Sequence, residues 1–124
     1  MSQMTFPVHY PGRTIAISDM PLALIQIGDI ANWGYTNMNL NTMRGHFQDL
    51  VTFAQQNGNL KLWCGEYGCC YTAPQVDKIT WYQHLYSAFE EYGIARANWD
   101  YKANFGIVRD GVPQTEMIDA IFGK

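Results

Sequence analysis

The sequence predicts an α/β fold with parallel strands, and three observations predict it. Short apolar runs alternate with stretches of helical periodicity. Strong punctuation by Pro-Gly, Asn-Gly and Gly separates them. The resulting order, strand followed repeatedly by helix, requires crossover connections rather than hairpins, and crossovers make a parallel sheet. At 124 residues the chain is read as a single domain, 1–124.

Thr5 to Tyr10 (TFPVHY) reads as a short strand ending at Pro11-Gly12. Residues 11–40 carry an apolar stretch, Pro21 to Ile27, and an Asn-rich loop, but no clear element. Asn41 or Thr42 is expected to cap a helix with Met43, Phe47, Leu50, Val51 and Ala54 at three- and four-residue spacing, closed by Asn57-Gly58. Leu60 to Cys64 (LKLWC) reads as a buried strand running into Gly65-Glu66-Tyr67-Gly68, with Trp63 in the core. Thr72-Ala73-Pro74-Gln75 has the spacing of a capping box. The helix after it places Val76, Ile79, Tyr82, Leu85, Phe89 and Tyr92 on one face and stops at Gly93. Ile94 to Trp99 is the next strand, Asp100 to Gly111 a loop, and Pro113 to Phe122 a closing helix with Met117, Ile118 and Ile121 inward.

In parallel sheets, ligands bind beyond the carboxyl ends of the strands. Those ends carry His9-Tyr10, Glu66-Tyr67 and Trp99-Asp100, so a carboxylate, a histidine and aromatics converge on one face. Each has a bland reading too. Glu66 alone is as well a solvated glutamate beside a turn, Trp99 a core tryptophan, and His9 and Tyr10 packing residues. His46 and His84, within helices, are read as structural.

Composition excludes several classes. Formal net charge is −3, with eight basic and eleven acidic residues and no basic patch of the kind nucleic-acid binding needs. No apolar run approaches the ~18 residues of a membrane span, and Met1-Ser2-Gln3-Met4 lacks the basic and apolar regions of a signal peptide. Cys64, Cys69 and Cys70 fit neither a disulfide framework nor a zinc pattern, so reduced thiols beside the core are expected, with no metal or cofactor. Aromatic residues make up 15% of the chain, which agrees with core packing and with a sugar-binding cleft alike.

Three pieces from Leu60 to Phe122 resemble the end of a glycoside hydrolase of family 5, the clan of cellulases, mannanases and β-1,3-glucanases. They are LWCGEYG at 62–68, TWYQHLYSAFEEYGIARANWDYKANFGIV at 80–108, and the closing Ile-Asp-Ala-Ile-Phe-Gly. The resemblance implies the last three or so units of a (β/α) TIM barrel. A small flavodoxin-like open sheet is the alternative fold. The family resemblance further implies retaining hydrolysis of a β-linked glucan, with Glu66 as nucleophile and Trp99 as the platform under the sugar. His9 and Tyr10 would lie near the nucleophile, and Lys102 and Asn104 would meet sugar hydroxyls.

A retaining site needs a second carboxyl ~5–5.5 Å from the first. In the family it follows an Asn, and none of the eight Asn here precedes a Glu. The resemblance therefore implies the nucleophile half of a site, with self-association or a complementing barrel fragment as partner. The alternative is a catalytically impaired sugar-binding or structural fragment.

Overall fold

The computed structural model describes residues 39–124, and their centre is a pair of parallel strands covered on one face by helices. The expected strand at residues 5–10, the unassigned stretch to residue 38, and with them His9 and Tyr10, lie outside the described residues.

Helix α1 runs Leu40–Gln56. Its cap is Asn39, whose extended backbone lets Oδ1 accept from the N–H groups of Asn41 at 2.9 Å and Thr42 at 3.1 Å. The expected cap, Asn41 or Thr42, thus falls two or three residues late. Met43 and Ala54 are buried, whereas Leu50, expected inward, is exposed together with Phe53.

Strand β1 is Trp63–Tyr67, shifted from the expected 60–64. The Leu60 N–H is held by the Ala54 carbonyl at 3.1 Å, which keeps the chain on the helix end for longer. Glu66 therefore lies within the strand rather than after it.

Helix α2, Gln75–Tyr92, begins three residues after Thr72 and has no capping box. Pro74 precedes it without a side-chain cap, and the Thr72 hydroxyl donates to Cys70 Sγ instead. Tyr82, Leu85 and Phe89 are buried as the spacing predicts, and Ala88 with them, while Val76 in the first turn is exposed. Gly93 ends the helix at φ +63°, a left-handed conformation that glycine adopts without a Cβ penalty.

Strand β2, Ala95–Asn98, pairs parallel to β1. The following loop ends in a minimal hairpin, β3 (Val108–Arg109) and β4 (Val112–Pro113), joined by Asp110-Gly111, both at positive φ. Asp-Gly is a strong two-residue hairpin signal. Pro113 thus lies in β4, and helix α3 spans Thr115–Phe122.

Two core clusters join these layers. Met43, Leu85, Phe89 and Ile94 pack with Phe47, Leu62 and Cys64. Tyr82, Met117, Ala120 and Ile121 pack with Cys69, Ile79 and Ile107. Tyr67 belongs to both, its ring 5.2 Å from Phe89 and 6.1 Å from Tyr82. Burying one such large apolar side chain contributes roughly 1.5–3 kcal/mol. Trp63 is not in the core. It is 64% exposed, because Cys64 beside it takes the helix-facing side of the strand.

Candidate active site

Strand β1 carries a bulge. Trp63 and Cys64 pair with Ala95 and Arg96, but Tyr67 pairs with Asn98, so Gly65 and Glu66 oppose a single residue, Ala97. The extra residue changes which face Glu66 takes. Side chains alternate along a regular strand, which would put Glu66 on the same side as Cys64, against the helices. With the bulge, Cys64 and Tyr67 both pack inward while Gly65 and Glu66 are both exposed. Glu66 is thereby turned, at the carboxyl end of β1, to the face that none of the described helices covers.

Trp99 follows β2 at the same end of the sheet. Its N–H donates to the Tyr67 carbonyl oxygen at 2.7 Å, and its side chain is 51% exposed. Gly68 permits this approach, since a Cβ there would overlap the Trp99 carbonyl oxygen and crowd Phe105. The Trp99–Asp100 peptide bond is cis. Beyond it the loop folds on itself: Asp100 Oδ1 accepts from the Ala103 N–H at 2.6 Å, and the Ile107 N–H donates to the Asp100 carbonyl at 3.1 Å. The Tyr71 N–H donates to the Asn104 carbonyl at 2.8 Å, tying the loop after β1 to the loop after β2.

Lys102 and Asn104 are on that second loop, and both are exposed. They line an open cleft of about 360 Å³ with Tyr71, Lys78, Arg109 and Gln114, a lining that includes neither Glu66 nor Trp99. Sequence reasoning passed over Lys78, since a charged residue carries no weight in an apolar pattern. It also passed over Arg96, which stacks over Tyr86 and Phe89 and pairs with Glu90 at 2.8 Å.

The loop after β1 is anchored by Tyr82, fully buried, whose hydroxyl accepts from the Cys69 N–H at 3.0 Å. Burial pushes the Tyr82 hydroxyl up to about 12 and the Cys69 thiol up to about 11, so both stay protonated at neutral pH. Cys64, Cys69 and Cys70 are all free. Among the described residues no cluster of His, Cys, Asp and Glu is placed to hold a metal ion, and no helix is long and apolar enough to cross a membrane.

No family model matches the chain. Endoglucanase C of Acetivibrio thermocellus is 27% identical over 95 residues, which cover 77% of this chain and 27% of that protein. Among solved structures, an endoglucanase superposes with a TM-score of 0.64 at 26% identity, over 68% of this chain and 28% of its own. A hyperthermophilic endo-β-1,4-glucanase in complex with substrate gives 0.64 at 24% identity over the same shares. This chain thus spans little more than a quarter of the length of these endoglucanases. The sequence likeness to endoglucanases and the shared backbone agree: the chain is a partial (β/α) barrel, similar to a part of endoglucanases of the family 5 glycoside hydrolase type.

Proposed function

We propose that the chain carries the nucleophile half of a retaining β-glucan hydrolase site, with Glu66 as the attacking carboxylate and Trp99 as the sugar platform. The observation that carries this reading is the bulge in β1, which turns Glu66 to the open face at the end of the sheet where Trp99 also emerges. In a retaining mechanism the ionised carboxylate attacks the anomeric carbon and expels the leaving group, forming a glycosyl ester that water then cleaves. Proton donation to the leaving group falls to a second carboxyl, which barrel units outside this chain would supply. The endoglucanase relatives support a β-linked glucan as the substrate class. His9 and Tyr10 are assigned to the neighbourhood of the nucleophile, and Lys102 and Asn104 to sugar hydroxyls further along the cleft.

The test is covalent trapping. An activated aryl fluoro-β-cellobioside has a leaving group good enough to depart without a proton donor, and its fluorine slows hydrolysis of the ester. Peptide mass mapping should find the added sugar on the peptide containing Glu66. Labelling of a different carboxylate would overturn the assignment. No labelling, together with cellobiose binding that perturbs Trp99 fluorescence, would favour a sugar-binding module over an enzyme.

A further inference from the structure

The cleft beside the proposed sugar site has a charge opposite to that of the chain. Lys78, Lys102 and Arg109 line it against one carboxylate, Asp110, in a protein of formal net charge −3. The cations come from three elements: Lys78 from the first turn of α2, Lys102 from the loop after β2, and Arg109 from β3.

Lys78 is the telling member. It is 8% exposed, the buried charged residue of the described chain. Its ammonium donates to the Tyr71 carbonyl oxygen at 3.5 Å, beyond the ~2.7–3.2 Å of a well-made N–H···O bond. An ammonium has three donors, and this one long bond leaves the others for an anion in the cleft that Lys78 lines. Arg109 is similarly underused. Its guanidinium stacks over the Tyr71 ring at 5.0 Å and meets Asp110 only at 3.9 Å, leaving N–H groups for another acceptor. Lys102 Nζ lies 5.9 Å from the Tyr101 ring centre.

The backbone adds to the same field. Gln75, the first residue of α2, and Gln114, preceding α3, both line the cleft, and neither helix has a side-chain cap. Uncapped first-turn N–H groups carry partial positive charge that favours an oxyanion.

We infer that this cleft is an oxyanion-binding site, built by Lys78, Lys102 and Arg109 between the starts of α2 and α3, for a carboxylate or phosphate group. It shares Lys102 and Asn104 with the proposed sugar contacts but includes neither Glu66 nor Trp99, so Lys78 and Arg109 are the members that set it apart from the hydrolytic reading. The oxyanion has two sources: a free inorganic ion, or an acidic substituent on a saccharide that also reaches the end of the sheet.

Amide chemical shifts should be followed while the whole chain is titrated with inorganic phosphate, with cellobiouronate and with neutral cellobiose. Saturable shifts at residues 71–78 and 102–114 with either anion, weakened by added salt, are the expected result. Response to phosphate identifies a free ion, and response to cellobiouronate alone identifies a saccharide-borne carboxylate. Arg109→Gln, at an exposed position, should weaken binding roughly tenfold by removing a charge-assisted bond. Lys78→Met keeps the aliphatic stem and should weaken it at least as much. Glu66→Gln should leave anion binding unchanged, which separates this site from the nucleophile assignment. No saturable shifts at Lys78 or Arg109 with either anion, equal response of these two residues to neutral cellobiose, or undiminished binding in both cleft variants would overturn the inference.

Discussion

The Trp99 N–H and the Tyr67 carbonyl oxygen meet at 2.7 Å, and this bond brings the backbone of Trp99 alongside the residue next to Glu66. It extends the β1–β2 pairing one step past Asn98, the last residue of β2, to where both side chains leave the sheet. The two proposed sugar contacts are therefore coupled through backbone, and Gly68 is the position on which the coupling depends.

Gly68→Ala should damage stability and sugar binding together. Its Cβ would occupy the space of the Trp99 carbonyl oxygen and press on the Phe105 Cβ. Backbone is what it meets, so no flexible side chain can move away. Overpacking of this kind typically costs about 1–3 kcal/mol. A urea midpoint unchanged from the parent would show that the loop after β2 yields more readily than its hydrogen bonds suggest.

Stability should fall on the alkaline side. Tyr82 holds its proton to about 12 in the folded chain against 10.0 in the unfolded one, and Cys69 to about 11 against 9.0. Below the unfolded values both states are protonated and these groups give no pH dependence. As pH rises through those values the unfolded chain sheds protons first, so it is favoured until the folded values are passed. Urea midpoints should hold up to about pH 9 and then decline. Tyr82→Phe should flatten part of that decline. At neutral pH the same change leaves the Cys69 N–H without its acceptor, a loss of about 1–3 kcal/mol. A decline unaltered in the variant would assign the pH dependence to other groups.

Much of the helical layer was legible because its signals are local. Gly93 ends α2 where the sequence says it should, and Tyr82, Leu85 and Phe89 face the core at their expected spacing. The cap at Asn39 was less legible because Asn39, Asn41 and Thr42 can all cap. Gly65-Glu66-Tyr67-Gly68 marks the proposed site, but the bulge that turns Glu66 outward is a property of register between β1 and β2. Register is decided by two segments about thirty residues apart, and periodicity within one strand does not contain it. Trp63 has a different cause: plain alternation with Cys64 puts this apolar residue on the face opposite the helices. The hairpin at Asp110-Gly111 did have a local signal, read only as loop.

The chain should associate, with copies of itself or with a complementing barrel fragment. Leu50, Phe53, Leu60 and Trp63 are exposed along α1 and the edge of β1, and β1 is paired on one side only among the described residues. Open strand edges and exposed apolar surface favour association. Light scattering at micromolar concentration should give a mass above 14.2 kDa. A stable monomer would count against the open-barrel edge as a binding surface.

Hydrolysis by this chain alone should depend on Glu66 and on the leaving group. A positioned general acid contributes ~10²–10⁴-fold in rate, and the sequence offers no Asn-Glu pair to supply it. Aryl β-glycosides, whose leaving groups depart with little proton donation, should be cleaved faster than soluble cellulose by about that factor. Glu66→Gln keeps the shape of the side chain and removes the attacking charge. Because Glu66 is exposed and outside both core clusters, the variant should fold normally and lose turnover. Full activity in folded Glu66→Gln, with contaminating enzyme excluded, would end the nucleophile assignment. Brisk turnover of unactivated cellulose by the parent would show that a second carboxyl reaches the leaving group after all. Specific activity that falls as dilution separates the copies would then show that a neighbouring copy provides it.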